Sequence, residues 1–162
     1  MADHPTKSGA PNLSGPLRRS ALAILFSLIF APNASADTIA ETAGAWGLIG
    51  SWSLECSVAP DRGKGAVLAY EIAPGDRVIH RRDFGDTSDE SEVITAEVSR
   101  NGMLNLRVFF PKLKQTREYG FVLESDGALR AVYNRSQQGQ YTIRNGKFTA
   151  NGNPTLALHK CM

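Results

Sequence analysis

From residue 48 onward, apolar side chains recur at every second position, and turn dipeptides cut the runs apart. A period of two belongs to an extended chain with one face buried, whereas a helix repeats every 3.6 residues. Trp52, Leu54 and Cys56 alternate with Ser51, Ser53 and Glu55, and Leu68, Tyr70 and Ile72 follow. Ala73-Pro74-Gly75-Asp76 is a turn by its chemistry. Residues 77–83 read as a third strand, residues 85–90 as a polar, acidic loop, and Ile94, Ala96 and Val98 as one face of a fourth strand. Leu104, Leu106, Val108 and Phe110 give the clearest alternation, and Pro111 stops it. Beyond it lie Tyr119, Phe121 and Leu123, then Leu129, Ala131 and Tyr133, then Tyr141 and Ile143, then residues 147–150, and finally Leu156 and Leu158. Asn101-Gly102, Asp126-Gly127, Asn145-Gly146 and Asn151-Gly152 separate these segments. Such pairs close tight hairpins, and Asn101-Gly102 is expected to form a type I′ turn with positive φ at both positions. The chain is therefore all-β, an antiparallel up-and-down meander of about 8–9 short strands. Only residues 38–46 carry a pattern suited to a short helix.

Two cysteines constrain how the meander ends. Cys56 lies at its start and Cys161 at its finish, and neither stands in a C-x-x-C or C-x-x-H context that would suit a metal. An even count in an exported chain points to a disulfide, whose Cα atoms must lie within about 7 Å. First and last strands should then be neighbours, or face each other across a thin core. Closure of the meander into a barrel satisfies this and removes the open edges that invite aggregation. A two-sheet sandwich is the alternative.

Export itself is read from residues 1–36. Arg18 and Arg19 precede an apolar run over residues 21–31, and Ala34-Ser35-Ala36 follows, the pattern of a secretory signal peptide cleaved after Ala36. Residues 37–47 form an N-terminal segment or short helix, and residues 48–162 a single β domain. The expected compartment is the periplasm or the outside of the cell. After residue 36 the chain carries 15 basic and 15 acidic residues, so it lacks the electrostatic footprint of a nucleic-acid partner. No apolar run approaches the ~20 residues of a membrane-spanning helix.

Leu48-Ile49-Gly50-Ser51-Trp52 places a G-x-W on the first strand after a short N-terminal turn. This resembles the opening of lipocalin-like (calycin) barrels, and the resemblance implies that Trp52 plugs the closed end. Lipocalins stack an arginine on that tryptophan, and no arginine here can be assigned to the place. Gly50-x-Trp52-x-x-x-Cys56, Arg81-Arg82-Asp83-Phe84-Gly85-Asp86 and the final Cys161 together also resemble a largely uncharacterised family of exported alphaproteobacterial proteins. Bacterial metalloprotease inhibitors are similar small barrels with an opening G-x-W. Their likeness implies that residues 37–45 would enter a protease cleft.

The chain has no G-x-S-x-G, no H-E-x-x-H and no phosphate-binding loop, so no catalytic role is expected. No metal or cofactor is expected either. His80 and His159 lack a third ligand at strand spacing, and the acidic set Asp83, Asp86, Asp89, Glu90 and Glu92 fails the calcium-loop pattern. What remains is a polar-aromatic set: Tyr70, His80, Arg82, Arg107, Tyr119, Tyr133 and Arg135. In a barrel mouth these side chains would present donors to an anionic or amphipathic ligand. On the outer face the arginines would instead pair with carboxylates. The expected function is binding of a small apolar or amphipathic ligand. The alternatives are a protein partner, as for a protease inhibitor, or a structural envelope protein without ligand. A core filled by Trp52, Leu106 and Phe121 would argue against a pocket.

Overall fold

The computed structural model describes residues 37–63 and 65–161, so the segment read as a signal peptide, with its Ala34-Ser35-Ala36 site, lies outside the described residues. Thr38 starts helix α1 (Ile39–Trp46) with a capping box: its Oγ1 accepts the Glu41 N–H at 3.1 Å, and Glu41 Oε2 accepts the Thr38 N–H at 2.8 Å. Gly47, at φ 93°, ends the helix in the left-handed conformation. Ala40 and Ala43 are the buried face, and Trp46 Nε1 donates to the Gly102 carbonyl at 2.8 Å.

Ten strands follow: β1 (Gly50–Ser53), β2 (Val67–Ala73), β3 (Arg77–Asp83), β4 (Ser88–Val98), β5 (Leu104–Phe110), β6 (Gln115–Leu123), β7 (Leu129–Ser136), β8 (Tyr141–Arg144), β9 (Lys147–Phe148) and β10 (Ala157–Cys161). Each of β1 to β6 pairs antiparallel with its successor, and β10 pairs with both β7 and β1. Eight strands thus form a closed, lipocalin-like barrel, and β8–β9 is a hairpin carried on β7. First and last strands are neighbours in the register Ser51↔Cys161, Trp52↔Lys160 and Ser53↔His159. Cys56 and Cys161 are disulfide-bonded with Cα atoms 5.3 Å apart. Closure excludes the sandwich arrangement.

Three local expectations are corrected. The first strand stops at Ser53, so Leu54 and Cys56 lie in the segment that leaves the sheet rather than on its inner face. The fourth begins at Ser88, inside the residues read as loop, because Ser88 to Glu90 pair with Asp83 to Arg81. Its register then shifts between Val93 and Thr95, which leaves Ile94 unpaired and 38% exposed while Val93 and Ala96 face the core. Asn101-Gly102 is not type I′: only Gly102 has positive φ (81°), and its N–H donates to Ser99 O at 2.9 Å. The Asn101 side chain holds the turn instead, accepting from Ser99 Oγ at 2.6 Å and Met103 N at 3.3 Å. Asn145-Gly146 does have both angles positive, 52° and 69°.

The end of the barrel beneath α1 is solid. Trp52, Leu48, Val78, Val93, Leu104, Leu106 and Val108 are at most 1% exposed and join the buried helix residues in one cluster. Trp52 Nε1 donates to Leu48 O at 2.8 Å, so the buried indole is satisfied. The cation over its ring is Lys160, whose Nζ lies 5.4 Å from the centroid and donates to Gly47 O at 3.0 Å. A lysine thus fills the place for which no arginine could be assigned.

Candidate functional site

Trp52, Leu106 and Phe121 are all buried in one core, yet the packing does not close the other end of the barrel. A cavity of about 540 Å³ opens to solvent there, between the barrel wall, the β8–β9 hairpin and Leu54, Arg62, Gly65 and Ala66 from the residues after β1. Register explains which side chains reach it. Tyr70, His80 and Ser91 are cross-strand partners on β2, β3 and β4, so they share one face. Two residues nearer the mouth, Leu68 and Arg82 form the next inward row, and Asp89, the cross-strand partner of Arg82, lies behind it outside the cavity lining. Tyr119 and Phe121 add the β6 wall, Ala131 and Asn134 the β7 wall, and Ile143 and Phe148 the hairpin.

The deep part is aromatic. His80 stacks on Tyr70 with centroids 4.6 Å apart and planes 24° apart, and Tyr119 lies parallel to Phe121 at 5.7 Å. Phe110 meets His80 edge-on at 6.2 Å. His80 is 2% exposed, and burial, aided by the nearby Arg82 charge, lowers its pKa to about 3. The imidazole is therefore neutral at ordinary pH. Its Nδ1 has no hydrogen-bond partner, and neither has Ser91 Oγ on the adjacent strand. A buried polar atom left unpaired costs roughly 1–3 kcal/mol. Burial likewise raises the Tyr70 and Tyr119 hydroxyls, which stay protonated.

Among the described residues, charge appears only towards the mouth, and there it is paired. Arg82 grips Asp89 through two parallel hydrogen bonds, Nε to Oδ1 at 2.8 Å and a terminal nitrogen to Oδ2 at 2.5 Å. That contact holds the Asp89 carboxyl below the usual carboxylate range. The same guanidinium lies 4.6 Å from the Phe110 ring and 5.6 Å from Phe84. Arg62 stacks on Phe84 at 5.6 Å and bonds Asp86 at 2.9 Å and Thr87 at 2.8 Å. Gly85, at φ 86°, sits where a Cβ would collide with the Pro60 carbonyl. The segment after β1 and the β3–β4 loop are therefore fastened together at the rim.

Of the candidate residues named from the sequence, Tyr70, His80, Arg82 and Tyr119 come together around the cavity. Arg107, Tyr133 and Arg135 do not line it. Arg107 is exposed between buried Leu106 and Val108, hence on the outer face. Tyr133 donates to Asn105 Oδ1 at 2.8 Å on that same face and covers Gly120. Arg135 is occupied by Glu118, Nε to Oε2 at 2.6 Å. His159 is exposed on β10. The sequence marks Asp89 only as part of an acidic set and Phe84 only as part of a motif, and it gives no sign of Asn134 or Phe148. Asp89 was readable only with the knowledge that β4 starts at Ser88, which sets it opposite Arg82. Asp86 pairs with Arg62 at the rim, whereas Glu90 pairs with Arg81 at 2.7 Å and Glu92 with Arg77 at 3.7 Å, arginines that do not line the cavity.

Neither family models, nor curated proteins, nor solved structures gave a match to this chain, so its likeness to lipocalin-like proteins rests on the closed barrel itself.

Proposed function

We propose that this protein is an exported small β-barrel that binds a small apolar or amphipathic ligand inside its open end. The observation that supports this is the cavity of about 540 Å³ with its mouth to solvent, within the ~300–1,000 Å³ range of small-molecule sites. Its lining is mostly hydrocarbon and aromatic with a few convergent polar groups, the usual composition of such sites. The solid end beneath α1 supplies a core that does not depend on filling the other half. A disulfide is what an oxidising compartment permits, and the periplasm or the cell exterior is the proposed location. The reading of residues 37–45 as a segment inserted into a protease cleft has less support. They include most of α1, whose Ala40 and Ala43 would have to leave the core.

The test is a thermal-shift screen of fatty acids, tetrapyrroles and phenolics against the wild type and Ala131→Trp, which fills the cavity from the β7 wall. A ligand at a hundredfold excess over its Kd stabilises the native state by about 2.7 kcal/mol. The expected result is a compound that raises the wild-type midpoint and leaves that of Ala131→Trp unmoved. Equal shifts in both proteins, or none anywhere in the panel, would reject the cavity as the site.

A further inference from the structure

We propose that the ligand is an uncharged, flat aromatic molecule carrying a hydroxyl group, which lies against the aromatic walls and hydrogen-bonds to the His80 imidazole. The inference rests on the cavity being the binding site, and three observations of that site carry it.

The first is charge. Arg62 and Arg82 are the arginines that line the cavity, and Asp86 and Asp89 already hold them. An anionic ligand would have to displace Asp89 from a two-point contact or lose its hydration without a counter-charge, and an unpaired desolvated charge is strongly penalised. No carboxylate lines the cavity among the described residues, so a cationic guest would likewise lose its hydration without a counter-charge. Neutral ligands meet neither obstacle.

The second is shape. Tyr70 with His80, and Tyr119 with Phe121, present ring surfaces close to parallel within each pair, at 24° and 7°. Aromatic surfaces gain most from flat partners in stacked or edge-on contact. A flexible acyl chain would forfeit that gain and lose rotamer freedom as well.

The third is the unpaired polar atom. His80 borders the cavity and is 2% exposed, and its Nδ1, closed off from solvent, lacks a partner. A neutral imidazole offers one donor and one acceptor, and a hydroxyl can serve either because it both donates and accepts. A carbonyl or ether oxygen could satisfy only the donor.

The experiment uses three probes of one shape: naphthalene, 2-naphthol and 2-naphthoate, titrated at pH 7 by intrinsic fluorescence and calorimetry. With the wild type, 2-naphthol should bind at least tenfold more tightly than either companion. His80→Phe should keep naphthalene binding and erase the advantage of 2-naphthol over it. Asp89→Asn should free Arg82 and raise the affinity for 2-naphthoate several-fold. The proposal is overturned if 2-naphthoate equals or exceeds 2-naphthol in the wild type. It is also overturned if the hydroxyl advantage survives in His80→Phe, or if Asp89→Asn gives 2-naphthoate no gain. Binding of a fatty acid or tetrapyrrole, with all three probes inert, would reject this ligand class and leave the cavity reading standing. Absence of binding by every compound, the wider panel included, would remove both.

Discussion

Acid should destabilise this barrel through a single buried side chain. An imidazole in the unfolded chain takes up a proton below pH 6.5, whereas His80 in its native place resists until about pH 3. Between those values the unfolded state binds the extra proton, so stability falls as pH falls, by about 1.36 kcal/mol per pH unit. Above pH 6.5 both states are neutral and His80 contributes no slope. From pH 7 to pH 5 the loss works out at about 2 kcal/mol. For a domain of this size, roughly 4 °C per kcal/mol makes that about 8 °C in the thermal midpoint. Asp86, Asp89 and Glu124 are held low by arginine partners, and Glu41 by its bonds to Thr38, so their losses come at lower pH. His80→Phe keeps a ring to stack on Tyr70 and removes the proton site. Melting both proteins by circular dichroism in steps from pH 7.5 to 4.5 isolates the effect. The wild-type midpoint should drop about 8 °C further than that of the variant by pH 5. Parallel curves over that range would refute the account of His80 as a neutral, desolvated group.

Two more outcomes follow from particular contacts. The Cys56–Cys161 bridge spans 105 residues, so the paired substitution Cys56→Ser with Cys161→Ser should cost about 2–5 kcal/mol in urea titration; a change below ~1 kcal/mol would mean that β10 is held by its strand pairing alone. Gly120 sits where a Cβ would strike the Tyr133 ring, so Gly120→Ala should destabilise by about 1–3 kcal/mol. In a Tyr133→Ala background most of that cost should vanish, and an undiminished cost would place the strain elsewhere.

Much of the architecture was legible because its causes are local. Alternation marks a strand wherever one face is buried, and Asn-Gly or Asp-Gly marks the reversal, so the meander could be read without knowing where the chain goes next. The terminal bridge then implied that the ring closes. Legibility failed where one residue more or less changes the face. The bulge between Val93 and Thr95 turns Ile94 outward and Ala96 inward, although plain alternation groups the two. Arg82, Arg107 and Arg135 look alike on a strand pattern, yet only Arg82 falls on the inward parity. Tyr133 reads as inward from Leu129 and Ala131, but the register shift across β6 and β7 carries it to the outer face.

The sequence by itself determined that this chain makes short antiparallel strands joined in order, and that its two cysteines belong together. Turn chemistry and side-chain periodicity act over a few residues and need no distant partner. Tertiary structure alone decided that the ring is packed beneath α1 and opens on a cavity at its other end, that Asp89 meets Arg82, and that His80 is left dry with its Nδ1 unpaired. Those outcomes depend on the volume eight strands enclose and on the register between them, and both are set jointly by residues far apart in the chain.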